Sequence, residues 1–112
     1  MKYKIVIVPF PFDDLSSQKA RPAVCLTNEI QPYGHIVLAF ITSQVSMNPS
    51  DTDFVIDSND ADFAQTGLKV SSTVRLHRLM TVSKTIIKRE LGELSNNQKA
   101  EIENRLRKLF GI

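Results

Sequence analysis

The sequence predicts a small, mainly β barrel with one α-helix packed across it. Five or six short segments rich in β-branched and apolar residues are separated by turn-forming residues. One amphipathic segment with helical periodicity then closes the chain. The chain has 112 residues, of which 42% are hydrophobic and 23% charged, and it shows no repeat or linker. We therefore expect residues 1–112 to form a single domain.

The predicted strands follow one another through short polar connections. The first, Lys4–Phe10, is apolar and β-branched, and Pro9 and Pro11 end it because proline cannot donate to a ladder. Residues 13–19 form a polar loop rich in turn-forming residues. The remaining strands are predicted at 22–27, His35–Thr42, Asp53–Ile56, 68–76 and 85–91. Alternation in residues 68–76 puts Arg75 and His77 on one polar face.

The closing helix has clear start and stop signals. Ser95 and Gln98 match a capping box, in which each side chain accepts from the other residue's backbone amide. Gly111 suits the C-terminal cap. Apolar residues at helical spacing form one stripe: Ile102, Leu106, Leu109 and Phe110.

Bulk features exclude several classes of protein. The longest apolar run, residues 36–41, is too short to span a bilayer, so we expect no membrane association. The basic and apolar N-terminus lacks a small-residue cleavage site and is interpreted as a strand rather than a signal peptide. Cys25 is the only cysteine, which excludes an intrachain disulfide and fits a reducing cytoplasm. It lies in an apolar run and is predicted to be a buried core residue.

The residues alone offer no common catalytic motif. There is no glycine-rich phosphate loop, no HExxH and no GxSxG, and two histidines do not make a metal site. The net charge is +2, a mild preference for anionic partners. Five cations fall within residues 75–89, although on charge alone a solvated face is the better interpretation.

A basic pocket is the most specific hypothesis from the residues. Arg21, Thr42 and Ser43 lie at strand ends, and Arg75 and His77 lie on a polar strand face. Together they would form a cationic, hydroxyl-lined pocket that suits a phosphodiester, because guanidinium groups pair with phosphate oxygens.

Each of these residues also has a structural interpretation. Arg21 could pair with Asp13 or Asp14, and Thr42 and Ser43 could be ordinary turn residues. Arg75 could be solvated. Spacing alone favours these structural interpretations.

Three blocks of the sequence resemble the PemK/MazF family, the toxins of type II toxin–antitoxin systems. The first block is IVIVPFPFDDLSSQKARPAVCL, the second is LAFITSQ and the third is SSTVRLHRLMTVSKTIIKRELGELS. The blocks occur in the family's order, a closing helix follows them, and together they cover nearly the whole chain. The resemblance implies an SH3-like barrel of five to seven strands with a C-terminal helix.

The resemblance also implies an activity and partners. Members of the family are metal-independent, cofactor-free endoribonucleases that cut single-stranded RNA. The implied assembly is a cytoplasmic homodimer that a cognate antitoxin protein blocks. The implied chemistry is attack of the substrate's 2′-hydroxyl on the adjacent phosphorus, which gives a 2′,3′-cyclic phosphate and a 5′-hydroxyl.

Site residues follow from matching the blocks. Arg21 matches the family's catalytic arginine and Thr42 its catalytic threonine, while Pro22 fixes the backbone that holds Arg21 toward the pocket. Guanidinium stays charged, so we expect Arg21 to stabilise charge rather than act as a base. Arg75 matches an arginine that some members use at the site. The residues expected to contact RNA are Lys19, Ser43, Gln44, Arg75 and Arg78.

Two positions depart from the family pattern. Tyr3-Lys4 stands where many members carry Gly-Asp or Gly-Glu, and His77 stands where many carry an acidic residue. With an ordinary pKa near 6.5, a histidine suits proton transfer at neutral pH, so His77 is a candidate catalytic acid or base.

Two alternatives remain open at this stage. The same barrel occurs in toxins that bind DNA gyrase without cutting nucleic acid, although such a binder would not need the Arg21-Pro22 and Thr42-Ser43 pairs. Lys4 and His77 also allow a catalytically degenerate member that keeps only its interaction surface.

Overall fold

The computed structural model describes residues 1–10 and 19–112, with only the backbone of Phe10 and Lys19. Asp13, Asp14 and most of the predicted polar loop lie outside the described residues. The strands are β1 (Lys4–Phe10), β2 (Lys19–Cys25), β3 (His35–Thr42), β4 (Asp53–Ile56), β5 (Ser72–Ser83) and β6 (Arg89–Glu93). Helix α1 spans Asn96–Phe110, and short 3-10 helices lie at Ala64–Thr66 and Lys84–Ile86.

The six strands form one antiparallel sheet in the order β4-β5-β3-β2-β1-β6. The sheet curls into a half-barrel, and α1 is the single α-helix of the described residues. The expected fold class, a small mainly β barrel with a C-terminal helix, is confirmed.

Apolar side chains are buried on both faces of the sheet, because alternate residues of a strand point to opposite faces. On one face, Ile5 and Val24 pack in a cluster with Ile102 of α1. On the other face, Val6 packs in a second cluster with Cys25, which is fully buried, as the sequence predicted. Burial raises the pKa of the Cys25 thiol to about 11.

Helix α1 begins and ends at the predicted signals. The Ser95 hydroxyl accepts from the Gln98 amide at 3.1 Å, and the Gln98 side chain accepts from the Ser95 amide at 2.8 Å. Gly111 takes a left-handed conformation at the C-terminal cap. Arg105 extends from the helix to edge strand β4 and donates to the carbonyls of Asp51 at 2.9 Å and Asp53 at 3.0 Å.

The bounds of three predicted strands were wrong. Strand β2 ends at Cys25 rather than at residue 27, and β6 ends at Glu93 rather than at residue 91. Strand β2 begins at Lys19 rather than at residue 22, because the β1 ladder continues to the Phe10–Lys19 pair. Strand β5 begins at Ser72 rather than at residue 68 and runs on to Ser83 beside β3. Strand β6 begins at Arg89 rather than at residue 85, because the Ser83 side chain accepts from the Thr85 amide and caps a 3-10 turn.

The segment between β4 and β5 packs against β6 at the opposite edge of the sheet. Gly67, at φ +74°, and Gly92 make this approach possible. A Cβ on Gly92 would lie 2.3 Å from the carbonyl oxygen of Gln65, and one on Gly67 would lie 2.1 Å from that of Leu91. The Gln65 side-chain amide also donates to the Leu94 carbonyl at 3.1 Å.

We expect Gly92→Ala to lower the free energy of unfolding by about 3 kcal/mol, because the added methyl group must displace backbone atoms. Urea denaturation measures the change. Gly111→Ala is the control, since its Cβ meets no atom within 4 Å, and it should lose only about 1 kcal/mol from left-handed backbone strain. An equal loss in both variants would contradict the close packing at Gly92.

Tyr3 precedes β1 in a left-handed conformation, with φ +71°, that favours glycine. Its amide donates to the Cys25 carbonyl at 2.6 Å, and its carbonyl accepts from the Leu94 amide at 3.0 Å. Its hydroxyl donates to the carboxylate of Glu103 on α1. Burial, followed by the bond to Glu103 and its charge, raises the pKa of Tyr3 to about 12.

This pKa predicts a delayed ionisation of one of the two tyrosines. Because the fold favours the neutral hydroxyl, the stability that it contributes is complete below pH 10 and is lost as the pH rises toward 12. In Tyr33→Phe, which leaves Tyr3 alone, we expect tyrosinate absorbance to develop near pH 12. Ionisation near pH 10 in Tyr33→Phe would contradict the described Tyr3 environment.

Candidate functional site

The ladder between β2 and β3 ends beside Pro22. The last paired residues are Ala23 and Phe40, and Pro22 has no N–H to extend the pairing. Continuing the same register would place Arg21 opposite Thr42. The two strands therefore bring Arg21 and Thr42 to the same end of the sheet.

An irregularity in β5 brings two more arginines to this end. Ala39 pairs with Leu79, whereas the next residue of β3, Phe40, pairs with Arg75. Residues 76–78 therefore have no partner on β3. Such a bulge bends a strand and changes the direction of its side chains. Here Arg75 lies at one end of the bulge and Arg78 within it.

These elements enclose a cavity of about 200 Å³, which we call the arginine pocket. Five of the predicted site residues come together there: Arg21, Thr42, Gln44, Arg75 and Arg78. The half-buried aromatic ring of Phe40 also lines the pocket and was not predicted. Three guanidinium groups, a hydroxyl and an amide thus surround one small space, an arrangement that can bind a phosphate group.

The turn after β3 is held by hydroxyl groups. The Thr42 hydroxyl oxygen accepts a hydrogen bond from the backbone amide of Gln44 at 3.2 Å. The hydroxyl hydrogen of Thr42 is then left to donate to another group. The Thr73 hydroxyl of β5 donates to the Gln44 carbonyl at 2.9 Å. These two bonds fix the backbone that carries Thr42 and Gln44 into the arginine pocket.

Arg75 is the most unusual polar group of the pocket. Its Nε atom is buried and has no hydrogen-bond partner among the described residues. The Oδ1 atom of Asp53, opposite Arg75 on β4, is also buried without a partner there. A buried unpaired donor costs about 1–3 kcal/mol, so its presence in a pocket indicates a function.

The other predicted residues lie elsewhere. His77 is exposed, and its Nδ1 lies 3.3 Å from the Thr52 hydroxyl. Among the described residues, His77 lines neither the arginine pocket nor a second cavity beside it. Ser43 lines the neighbouring cavity. The side chain of Lys19 lies outside the described residues. The roles predicted for these three residues stay predictions.

A second space, which we call the adjoining cavity, shares Arg21 and Ile41 with the arginine pocket. Its volume is about 470 Å³. Two of its lining cations, Lys69 and Arg89, were not predicted. The alternation of residues 68–76 and the basic segment 75–89 contain them, but no pattern indicated that these segments meet.

Neither a metal cluster nor a membrane helix occurs in the part of the chain that the structure describes. No three His, Cys, Asp or Glu side chains there are grouped so that they could hold a metal ion. Within the same ranges, no helix is long and apolar enough to cross a membrane. The polar groups that converge in the arginine pocket are cations, a hydroxyl and an amide.

Solved structures share this architecture over almost the entire chain. The Mycobacterium tuberculosis toxin MazF-mt6 is 24% identical, with a TM-score of 0.74 and 97% of each chain covered. MazF from Deinococcus radiodurans is 19% identical, with a TM-score of 0.71, and 99% of this chain and 96% of that chain are covered. These similarities show a MazF-like fold.

A mycobacterial endoribonuclease in complex with its cognate antitoxin is also similar. It is 15% identical, with a TM-score of 0.74, and 100% of this chain and 95% of that chain are covered. No curated protein sequence matches the chain.

A family model matches residues 1–110. The chain therefore belongs to the PemK-like, MazF-like toxin family of type II toxin–antitoxin systems. This confirms the resemblance that the three sequence blocks predicted.

The structure accounts for the cation at the unusual Tyr3-Lys4 position. Lys4 Nζ lies 3.5 Å from Oε2 of both Glu90 and Glu93, on β6. The charges of Glu90 and then Glu93 raise the pKa of Lys4. Lys4 thus joins β1 to β6 and does not line either cavity.

The buried Nε of Arg75 has no partner among the described residues. We therefore predict that replacing this side chain makes the protein more stable. We expect Arg75→Met to raise the free energy of unfolding by about 1 kcal/mol in urea, because a buried donor without a partner disappears. Arg105→Met is the matched control, since Arg105 pairs with Glu101 at 2.8 Å and two carbonyls of the β4 region. It should lose about 2 kcal/mol. Equal losses in both variants would show that Arg75 is satisfied like Arg105.

Proposed function

We propose that the protein is the toxin of a type II toxin–antitoxin system and cuts single-stranded RNA as a metal-independent endoribonuclease. The observation that carries the proposal is the convergence of Arg21, Thr42 and Arg75 in the arginine pocket, where the buried Nε of Arg75 has no partner among the described residues. Family membership supports it, since the family consists of toxins of such systems.

The pocket fits one phosphodiester. Arginine binds phosphate through a planar set of donors, and charge-assisted hydrogen bonds are stronger than neutral ones. The Nε of Arg75 has no partner among the described residues, and an anionic ligand would supply an acceptor for it. The Phe40 ring beside these groups can stack on a nucleobase, as aromatic side chains do in single-strand binding sites.

The proposed reaction is transphosphorylation within the RNA. The 2′-oxygen forms a bond to the adjacent phosphorus while the bond from phosphorus to the 5′-oxygen breaks. The 2′-hydroxyl gives up its proton and the leaving 5′-oxygen gains one, so the products are a 2′,3′-cyclic phosphate and a 5′-hydroxyl. The nucleophile belongs to the substrate, and no bound metal has to activate a water molecule.

In this reaction the protein stabilises the charge that develops on the phosphoryl oxygens. Arg21 and Arg75 supply positive charge, and the Thr42 hydroxyl donates to a phosphoryl oxygen, since its own oxygen already accepts from Gln44. Gln44 and Arg78 contact the RNA beside the phosphate. Ser43 and Lys19 remain part of the proposed RNA surface.

His77 is the proposed proton-transfer residue. Its imidazole is exposed and bonded to Thr52, so it must turn away from Thr52 to contact a substrate. Its contribution is read from the pH profile of cleavage, because loss of an acid or base removes one limb of that profile.

The proposal includes the partners that the resemblance implies. A solved relative is an endoribonuclease in complex with its cognate antitoxin. A cognate antitoxin is therefore proposed for this chain as well, and the resemblance adds a homodimeric assembly and a cytoplasmic location to the proposal.

We expect Arg21→Ala to slow cleavage of a long single-stranded RNA by about 10²–10³-fold in EDTA, because one preorganised charge at the reacting phosphate is lost. The measurement combines cleavage rates with chemical analysis of the product ends. Arg107→Ala removes an exposed cation of α1 and should cut at the wild-type rate.

Two outcomes would contradict the proposal. A folded wild-type protein that binds an antitoxin but cuts no RNA would point to a gyrase-type binder or a degenerate member. Products with 3′-hydroxyl and 5′-phosphate ends would exclude attack by the 2′-hydroxyl.

A further inference from the structure

The adjoining cavity has the size and lining of a small-ligand site. Its volume, about 470 Å³, lies within the range of roughly 300–1,000 Å³ that is typical of such sites. Apolar side chains of four separate segments form much of its wall: Ile7, Ile41, Leu68, Val70 and Leu91. Val70 is 53% exposed, so part of this apolar wall is accessible from solvent.

Two cations line this cavity in addition to Arg21. Lys69 and Arg89 are both exposed. Neither forms an ion pair with the residues that the structure describes. By contrast, Lys4 and Lys84 are both paired with glutamates. The described lining of the cavity contains no carboxylate.

The cavity is continuous with the arginine pocket. Arg21 and Ile41 line both spaces, and Thr42 and Ser43, which are consecutive, line one each. A chain whose phosphate is bound at Arg21 therefore meets the adjoining cavity as the next available space. Phosphates recur at every nucleotide of RNA, so a neighbouring nucleotide would bring a second phosphate close to the first.

We propose that the adjoining cavity binds one nucleotide of single-stranded RNA next to the scissile phosphate. Lys69 and Arg89 contact the phosphate of this nucleotide, its base lies against Leu68, Val70 and Leu91, and the Ser43 hydroxyl is the nearby polar group for the base edge. The Ser72 hydroxyl already donates to the Val70 carbonyl at 2.9 Å. This inference rests on the proposed ribonuclease function and assigns a binding subsite to it.

A phosphate with a flat, largely apolar base matches this combination of groups. Single-stranded RNA is recognised by contacts to the faces of unstacked bases together with cations along the backbone. An acidic segment of a protein partner would use the same cations, but it would not require the continuity with the arginine pocket through Arg21.

The first test compares two double variants that remove equal charge. Lys69→Ala/Arg89→Ala removes the cavity cations, and Lys88→Ala/Lys108→Ala removes two exposed cations that line neither cavity. The probe is a random-sequence 2′-O-methyl RNA, which has no nucleophile and stays intact. Fluorescence anisotropy gives the dissociation constant over a series of salt concentrations.

We expect the Lys69→Ala/Arg89→Ala variant to bind the 2′-O-methyl RNA more weakly than the wild type does. The affinity of this variant should also depend less steeply on the salt concentration. The slope of log Kd against log salt should fall by about 0.7 for each lost phosphate contact. The control variant should keep the wild-type slope. With cleavable RNA, the cavity variant should raise KM while kcat stays near wild type, because it loses binding rather than charge at the reacting phosphate.

A second variant tests the contact with the base. Val70→Ser changes an exposed part of the apolar wall and should alter the preferred base at one position beside the cut. Ile112→Ser, an exposed apolar residue in the lining of a different cavity, should leave the cut-site profile unchanged. Sequencing the ends of a cleaved RNA pool measures both profiles.

The outcomes separate this inference from the proposed function. If the wild type cuts RNA and the cavity variant keeps its affinity, salt slope and KM, the subsite is wrong and the nuclease stands. If the cavity variant loses affinity only for the antitoxin, the cavity belongs to the protein partner. If the wild type neither binds nor cuts RNA, both proposals fail.

Discussion

The hydrogen-bonded ladder between β2 and β3 stops at Ala23 and Phe40, and the arginine pocket depends on that end. Pro22 removes the donor that would continue the pairing, so the strands need not stay in contact at Arg21 and Thr42. The bulge in β5 acts on the other side of β3, where it brings Arg75 and Arg78 to the same end. A continuous ladder on both sides of β3 would join these strands by backbone bonds and leave less room for the pocket.

The structure contains two locally unfavourable features, and the described residues compensate for one of them. Tyr3 has a left-handed backbone that favours glycine, and its backbone bonds to Cys25 and Leu94 hold it there. The bond from its hydroxyl to Glu103 also connects the start of β1 to α1. Strain that surrounding contacts stabilise is tolerable, so a tyrosine can occupy this left-handed position. The buried Nε of Arg75 differs, because no described residue compensates for it. Under the proposed function, a phosphate oxygen of the RNA supplies the missing acceptor.

Local patterns predicted some parts of the structure well. Two strands have the predicted bounds, Lys4–Phe10 and His35–Thr42, and the capping box at Ser95 gave the start of α1. In each case a single segment of the sequence carries the whole signal. The start of β6 was wrong because Ser83 caps a turn that interrupts a strand-like segment.

Predicting the site required knowledge of how strands meet. The resemblance supplied Arg21, Thr42 and Arg75 as a group, whereas residue spacing alone left each with an ordinary structural interpretation. The alternation around Arg75 indicated that His77 shares its face. The bulge, which depends on the register between β3 and β5, instead puts Arg78 in the pocket lining. Lys69 and Arg89 were missed for a similar reason, since their segments meet only when the β4–β5 connection packs against β6.

Charge distribution explains how a chain of modest net charge can present a site for a polyanion. The sequence carries 14 Lys and Arg residues against 12 Asp and Glu residues, a balance that alone indicates only weak attraction. The described linings of the two cavities contain five cations, Arg21, Lys69, Arg75, Arg78 and Arg89, and no carboxylate.

Four glutamates form ion pairs outside the two cavities. Glu90 and Glu93 pair with Lys4, Glu29 pairs with Lys84, and Glu101 pairs with Arg105. These glutamates therefore do not neutralise the cations in the described linings of the two cavities. Because each cation that neutralises a phosphate releases counterions, such a surface favours binding of a nucleic acid chain over that of a single small anion.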